Sequence, residues 1–297
     1  MKVGVVGLGL IGGSLARQIM RNTEHTVLAY DISDEVLKKG ALLNAYHEIL
    51  DINAPVIDVD ILLIATNPRA TLKILDSIVP RIKSGAIIMD CAGIKKDVIK
   101  KMESLKKTRE DVFFVGGHPM AGSEGSGYSS AEEGLFKNAR WVLSVPENCA
   151  VPGNMLAMLT KLIRTLGAEA ILMDAVEHDR RVAMISHLPH VAAFALSEIV
   201  ANTNDTAMKQ LIGGGFKDTT RIAASSPSLW TDIFSESSEL IPSLEQYIKY
   251  LEEYLALLKH SELQGIKARL ITAAEFRRSI PEGLRAKSHL DIEGEAK

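Results

Sequence analysis

The sequence is short of the residues that mark several large protein classes. Cys91 and Cys149 are the only cysteines in 297 residues, too few for a disulfide framework and without the spacing of a metal site. Aromatic residues make up 5% of the chain, and the formal charge of −3 provides no overall basic field to attract nucleic acid or an anionic membrane. No apolar run approaches the roughly 20 residues that a membrane helix needs. The first strand, Val3–Gly7, lies close to Met1, so no signal peptide is expected ahead of it. Repeats and low-complexity linkers are missing too. These absences lead us to expect a cytoplasmic protein with neither nucleic acid nor membrane as a partner.

What is present is ordinary globular composition, 46% hydrophobic and 24% charged. At roughly 150 residues per domain the length suggests two domains. In the first half, short β-rich runs alternate with helical patterns. The runs are Val3–Gly7, Thr26–Asp31, Asp60–Thr66, Ala86–Cys91, Val112–Gly116, Trp141–Val145 and Ala168–Asp174; the helices include Gly12–Met20, Asp34–Leu42, Ala70–Val79, Lys95–Lys106 and Val151–Leu166. Several runs are continuously apolar, as strands covered on both faces are. The alternation predicts an α/β fold, a doubly wound parallel sheet of Rossmann type over residues 1–175. Residues 176–297 read as all-helical, with long stretches at Glu177–Asn202, Leu229–Leu258 and Leu263–Arg278 and a polar tail from Ile280. So much apolar helical surface predicts a homodimer formed through this half.

Gly7, Gly9 and Gly12 stand in G-x-G-x-x-G spacing between the first strand and the first helix. Gly7 permits a tight turn, Gly9 lets backbone approach a pyrophosphate, and Gly12 allows helix and strand to pack closely. Amides at the helix start then face the phosphates. Leu10 and Ile11 in the same turn, and Thr66 at the end of a later strand, complete the expected cofactor contacts. Asp31 lies 19 residues after Gly12, at the end of the second strand. A carboxylate there accepts from ribose hydroxyls and repels a 2′-phosphate, and Ile32 and Ser33 follow it in place of arginine. The expected cofactor is NAD.

The segment VFFVGGHPMAGSEGSG runs from a strand into a glycine- and serine-rich loop. His118 stands at the C-terminal edge of the predicted strand, where open parallel sheets form their ligand crevice. An imidazole beside a nicotinamide can take a proton from a hydroxyl during hydride removal. Ser123 could bind a substrate carboxylate or hydroxyl. Glu124 beside an anionic substrate suits gating or arginine pairing better than direct binding.

In the helical half, His187 and His190 are three apart and share a helix face, with Pro189 between them removing a backbone donor. A chelating role would need a third ligand, and none stands at a telling spacing, so no metal is expected. Lys217 and Arg221, four apart, would lie on one helix face and suit a carboxylate-bearing ligand.

Together these segments resemble the prephenate dehydrogenase family. The resemblance covers about residues 1–260 and rests on GLGLIGGSLA, HPMAGSEGSG, and SHLPHVAAFAL with GGGFKDTTRIAASSPSLWTDIF. It implies NAD-dependent oxidative decarboxylation of prephenate to 4-hydroxyphenylpyruvate in tyrosine biosynthesis, by a Rossmann domain joined to a helical dimerisation domain. It implies that His118 hydrogen-bonds the ring hydroxyl, that Arg221 binds a substrate carboxylate, that His187 and His190 belong to the site, and that Glu124 controls access. One departure stands out. The family often has D-x-G-S-x-K after a central strand, whereas this chain reads DCAGIK, with Gly93 in place of the serine. Arogenate, with an amine where prephenate has a ketone, is the alternative substrate. An imine-reducing or β-hydroxyacid dehydrogenase, which would rely on a helical-half lysine, and a non-catalytic NAD-binding dimer are more distant alternatives.

Overall fold

Strands that bury both faces need apolar residues at successive positions, and the strands here have them. In the computed structural model, which describes residues 1–122, 125 and 127–281, one eight-stranded sheet runs in the order β3-β2-β1-β4-β5-β6-β7-β8. Its strands are β1 (Lys2–Val6), β2 (Thr26–Tyr30), β3 (Glu48–Ile49), β4 (Ile61–Ile64), β5 (Ile87–Asp90), β6 (Phe113–Pro119), β7 (Arg140–Ser144) and β8 (Glu169–Leu172). Alternate residues feed two cores. Val3, Val5, Ile61, Leu63, Ile87 and Met89 pack on one face, and Val6, Leu62, Ile64 and Ile88 on the other. Helices α1 (Leu10–Asn22), α2 (Asp34–Leu42), α3 (Pro68–Ile78), α4 (Lys96–Lys106) and α5 (Gly153–Thr165) connect the strands. The chain order reverses between β1 and β4, which opens a crevice at their C-terminal ends.

The sheet is not parallel throughout. From β3 to β6 every pairing is parallel, but β6 pairs with β7 antiparallel, and β7 with β8 parallel. Both last strands therefore run against the rest. The handover occurs within β6. Phe113–Val115 pair with β5, and Gly116–Pro119 pair with β7. A Cβ at Gly117 would stand 2.4 Å from the Asp90 carbonyl oxygen, so glycine alone lets β6 pass this close to β5. The second pairing lengthens the strand beyond the expected Gly116 and places His118 inside it, opposite Val142.

From Ala175 the described chain is helical: α6 (Ala175–Val182), α7 (Leu188–Asn202), α8 (Thr206–Gln210), α9 (Gly214–Thr220), α10 (Pro227–Glu236), α11 (Leu240–Lys259) and α12 (Leu263–Ser279). A π turn, Ala183–His187, joins α6 to α7 without a break. The resulting helix, Ala175–Asn202, has 28 residues and a mean hydropathy of 1.3 in its most apolar window. By length and composition it is able to cross a membrane, which corrects the expectation from uninterrupted runs. Polar residues interrupt its sequence, yet it carries His178, Asp179, His187 and His190 and packs against α4, α9 and α11. The expected single helix Leu229–Leu258 is two helices, α10 and α11. Pro242 is the reason, because proline is tolerated in a first helical turn and not mid-helix.

Candidate active site

The glycine turn has the geometry that a dinucleotide needs. Gly7 has a φ of 87°, in the left-handed region where glycine is favoured. A Cβ at Gly12 would lie 1.7 Å from the Gly7 carbonyl oxygen, while one at Gly9 would meet nothing within 4 Å. Turn and helix are thus tightly packed, and the Gly9 side is open to a ligand's phosphates. The amides of Leu10, Ile11 and Gly12 fall in the first turn of α1 and have no intrahelical acceptor. Asp31 accepts hydrogen bonds from Leu8 N (2.7 Å) and Ser33 N (2.9 Å), so its carboxylate also fixes the glycine turn. This second role was not foreseen. Lone pairs on both oxygens remain for ribose hydroxyls. Thr66 follows β4 and hydrogen-bonds Thr71 through their hydroxyls (2.9 Å). The residues present therefore fit a nicotinamide dinucleotide.

Beside this crevice, His118 is partly exposed. Its Nδ1 lies 2.8 Å from His178 Nε2, and His178 Nδ1 lies 2.7 Å from Asp179 Oδ1. His178 is fully buried. Asp179 also accepts from the amides of Lys95 (2.8 Å) and Lys96 (2.9 Å) at the start of α4. The protein packed around His118, then the neighbouring His178, Lys95 and His187, hold its pKa well below the ordinary imidazole value. The ring is a neutral base at pH 7. Gly93 faces its other side, where a Cβ would lie 3.7 Å from Nε2.

Beneath the base sits a fully buried ion pair, Lys95 with Asp90. Asp90 also accepts from Ala92 N (2.9 Å) and Gly117 N (3.1 Å), tying the DCAGIK loop to the residue before His118. The sequence reading gave His178, Asp179, Asp90 and Lys95 no role. The available signals were an aspartate directly after a histidine near the start of a long helix, and a lysine between a strand and a helix.

The π turn has a local cause. Pro189 has no amide hydrogen, so the turn before it widens, and Leu188 N bonds back to Ala183 O. His190 Nδ1 donates to the Ser186 carbonyl oxygen at 2.9 Å. Its ring stacks on Trp230, with centroids 3.5 Å apart and planes at 23°. His187 meets the same indole edge-on and pairs through Nδ1 with Ser237 Oγ at 2.8 Å. Burial pushes the His187 pKa down to about 4 and lowers that of His190. Trp230, which the sequence reading left without a role, thus joins the two histidines. Of the pair, His187 is the buried member, and His190 is partly exposed.

Lys217 is exposed on α9, and Arg221 follows the last residue of that helix at the start of a contiguous 3-10 turn. Ser123 and Glu124 lie outside the described residues. Among the described residues no group of three or more metal-ligating side chains comes together.

Comparison with known proteins agrees with this geometry. Residues 15–172 match the family described as prephenate dehydrogenase, nucleotide-binding domain, and residues 174–271 match prephenate dehydrogenase, dimerization domain. The chain is 30% identical over 286 residues to a prephenate dehydrogenase of Bacillus subtilis (strain 168), covering 93% of this chain and 75% of that protein. It is 32% identical over 257 residues to a cyclohexadienyl dehydrogenase of Zymomonas mobilis, covering 84% and 86% of the two chains. Among solved structures it resembles Synechocystis arogenate dehydrogenase, with 30% identity, a TM-score of 0.78, and coverage of 94% and 99%. It also resembles prephenate dehydrogenase from A. aeolicus in complex with hydroxyphenyl propionate and NAD+, with 26% identity, a TM-score of 0.85, and coverage of 95% and 98%. Matched in both halves, the chain belongs to the prephenate dehydrogenase family and is a dehydrogenase of that family.

Proposed function

We propose that the chain catalyses NAD-dependent oxidative decarboxylation of prephenate to 4-hydroxyphenylpyruvate in tyrosine biosynthesis. The observation that carries this reading is His118, a neutral base at the rim of the nucleotide crevice, with Nδ1 engaged by His178 and Nε2 on the side of Gly93. When bound, NAD+ supplies the acceptor for the hydride that leaves the hydroxyl-bearing ring carbon. As that carbon becomes electron-poor, its hydroxyl grows acidic, and His118 Nε2 accepts its hydrogen bond or proton. The carboxylate across the ring departs as CO2, and its bonding electrons complete the aromatic ring. A proton held on His118 returns to the oxygen, so the product is a phenol. Arg221 and His190 grip the substrate's carboxylate groups, and Lys217 supports them from α9.

Asp31 supports NAD over NADP, because a carboxylate repels a 2′-phosphate and Ile32 and Ser33, not arginine, follow it in sequence. The dimerization-domain match and the exposed apolar positions of α11 support a homodimer through the helical half. Arogenate is the second reading, favoured by the likeness to the Synechocystis enzyme. The test is reduced-cofactor formation by purified protein with prephenate or arogenate and with NAD or NADP. Prephenate with NAD is expected to give the highest kcat/KM. A higher value with arogenate would replace the substrate, comparable values for the two cofactors would remove the NAD preference, and no turnover at all would refute the reading.

A further inference from the structure

We propose that His178 and Asp179 are positioning residues that fix the tautomer of His118, leaving its Nε2 bare toward the substrate hydroxyl. The proposal rests on the function above and adds two residues to it. Its argument starts at the far end of the chain of contacts. Asp179 takes amide hydrogens from Lys95 and Lys96, so its carboxylate acts as an acceptor. The hydrogen between Asp179 Oδ1 and His178 Nδ1 must then belong to the imidazole. A neutral His178 carrying that hydrogen has a bare Nε2, which is an acceptor. The hydrogen in the 2.8 Å contact with His118 is therefore on His118 Nδ1. Neutral His118 is left with a bare Nε2, the nitrogen on the side of Gly93. The opposite tautomer would present an N–H to the substrate hydroxyl and could not take its proton.

The geometry also supports the charged state. If His118 takes a proton, its Nδ1–H still has His178 as acceptor, and His178 in turn donates to Asp179. The groups facing His118 from the packed elements are His178 on α6, His187 in the π turn and Lys95 before α4, with Asp179 behind His178. Apart from Asp179 these are basic groups, so the contact through His178 is the route by which a carboxylate reaches the base. Because Asp179 also holds the first amides of α4, the loop opposite His118 is anchored by the same side chain.

The test combines ring-nitrogen NMR on cofactor-free, histidine-labelled protein with kinetics of His178→Gln and His178→Leu. In the parent, the resonances lost in His118→Asn should show a protonated Nδ1 and a bare Nε2. Gln keeps an oxygen that can accept from His118 Nδ1, and Leu does not. His178→Leu should shift His118 toward the Nε2–H form and lower kcat by about 10- to 100-fold, part of what a general base contributes. Its KM for NAD should stay within about twofold, since loss confined to kcat marks an interaction made in the transition state. His178→Gln should recover most of the rate. A parent His118 with its hydrogen on Nε2 would overturn the proposal, even if neither His178 variant folded. So would an unmoved tautomer in His178→Leu. A parent that turns over neither prephenate nor arogenate would refute the proposed function instead, and the tautomers measured without cofactor would still decide this proposal.

Discussion

Two glycines near the site make opposite predictions, because their surroundings differ at the distance of one methyl group. At Gly12 a Cβ would collide with backbone, 1.7 Å from the Gly7 carbonyl oxygen. Gly12→Ala is expected to abolish measurable NAD binding in a calorimetric titration. At Gly93 a Cβ meets only His118, at 3.7 Å, an ordinary contact. Gly93→Ala should therefore fold with stability within about 0.5 kcal/mol of the parent in urea unfolding. His187 makes a prediction about acid. Burial holds its pKa at about 4, so the native state excludes a proton that the unfolded chain binds below about pH 6.5. The associated stability is fully present above that pH and is lost as pH falls toward 4, by up to about 3 kcal/mol. Urea midpoints measured across this window should fall in the parent and fall less in His187→Gln.

At the scale of elements, the DCAGIK segment joins β5 to α4 through a buried charge pair, and breaking one half of such a pair strands the other. Lys95→Met leaves Asp90 in the interior without its cation and should cost about 3–5 kcal/mol, measured by chemical denaturation. The Asp90→Leu, Lys95→Met double variant should recover part of that loss. This pair also shows what sequence could and could not reveal. Periodicity located the apolar strands β1, β2, β4 and β5, since each fills both faces of the sheet. The direction of β7 was hidden, because the run around Trp141–Val145 has the same apolar pattern whether it pairs parallel or antiparallel. The two-residue β3 is exposed and carries no burial signal. Pro242 carried the signal for the start of α11, which the reading of a single helix over Leu229–Leu258 passed over. Motifs located the glycine turn and His118, because the residues that mark each are close in sequence. The meeting of His118 with His178, 60 residues away, depends on how α6 packs beside β6, and local patterns do not encode that distance.

At the scale of the whole molecule, most of the exposed large apolar side chains among the described residues lie in the helical half, although Ile32, Leu42 and Leu172 are exposed in the other. Along α11, Ile241, Ile248, Leu251, Leu255 and Leu258 are exposed at a spacing of three, four and seven, which puts them on one stripe. A stripe of this kind on a second copy is its natural complement, in keeping with the dimerization-domain match. Light scattering is expected to give twice the chain mass for the parent, and the Leu251→Glu, Leu255→Glu variant should give a monomer. A parent that scatters as a monomer at micromolar concentration would remove the interface. The two cysteines have a practical consequence. Both are buried, and burial pushes the Cys91 thiol well above the ordinary range. Thiol-directed dyes should therefore pass over the folded chain as it stands. One cysteine introduced on a solvent-facing helix would then accept a single fluorophore at a chosen position, with both natural sulfhydryls left in place.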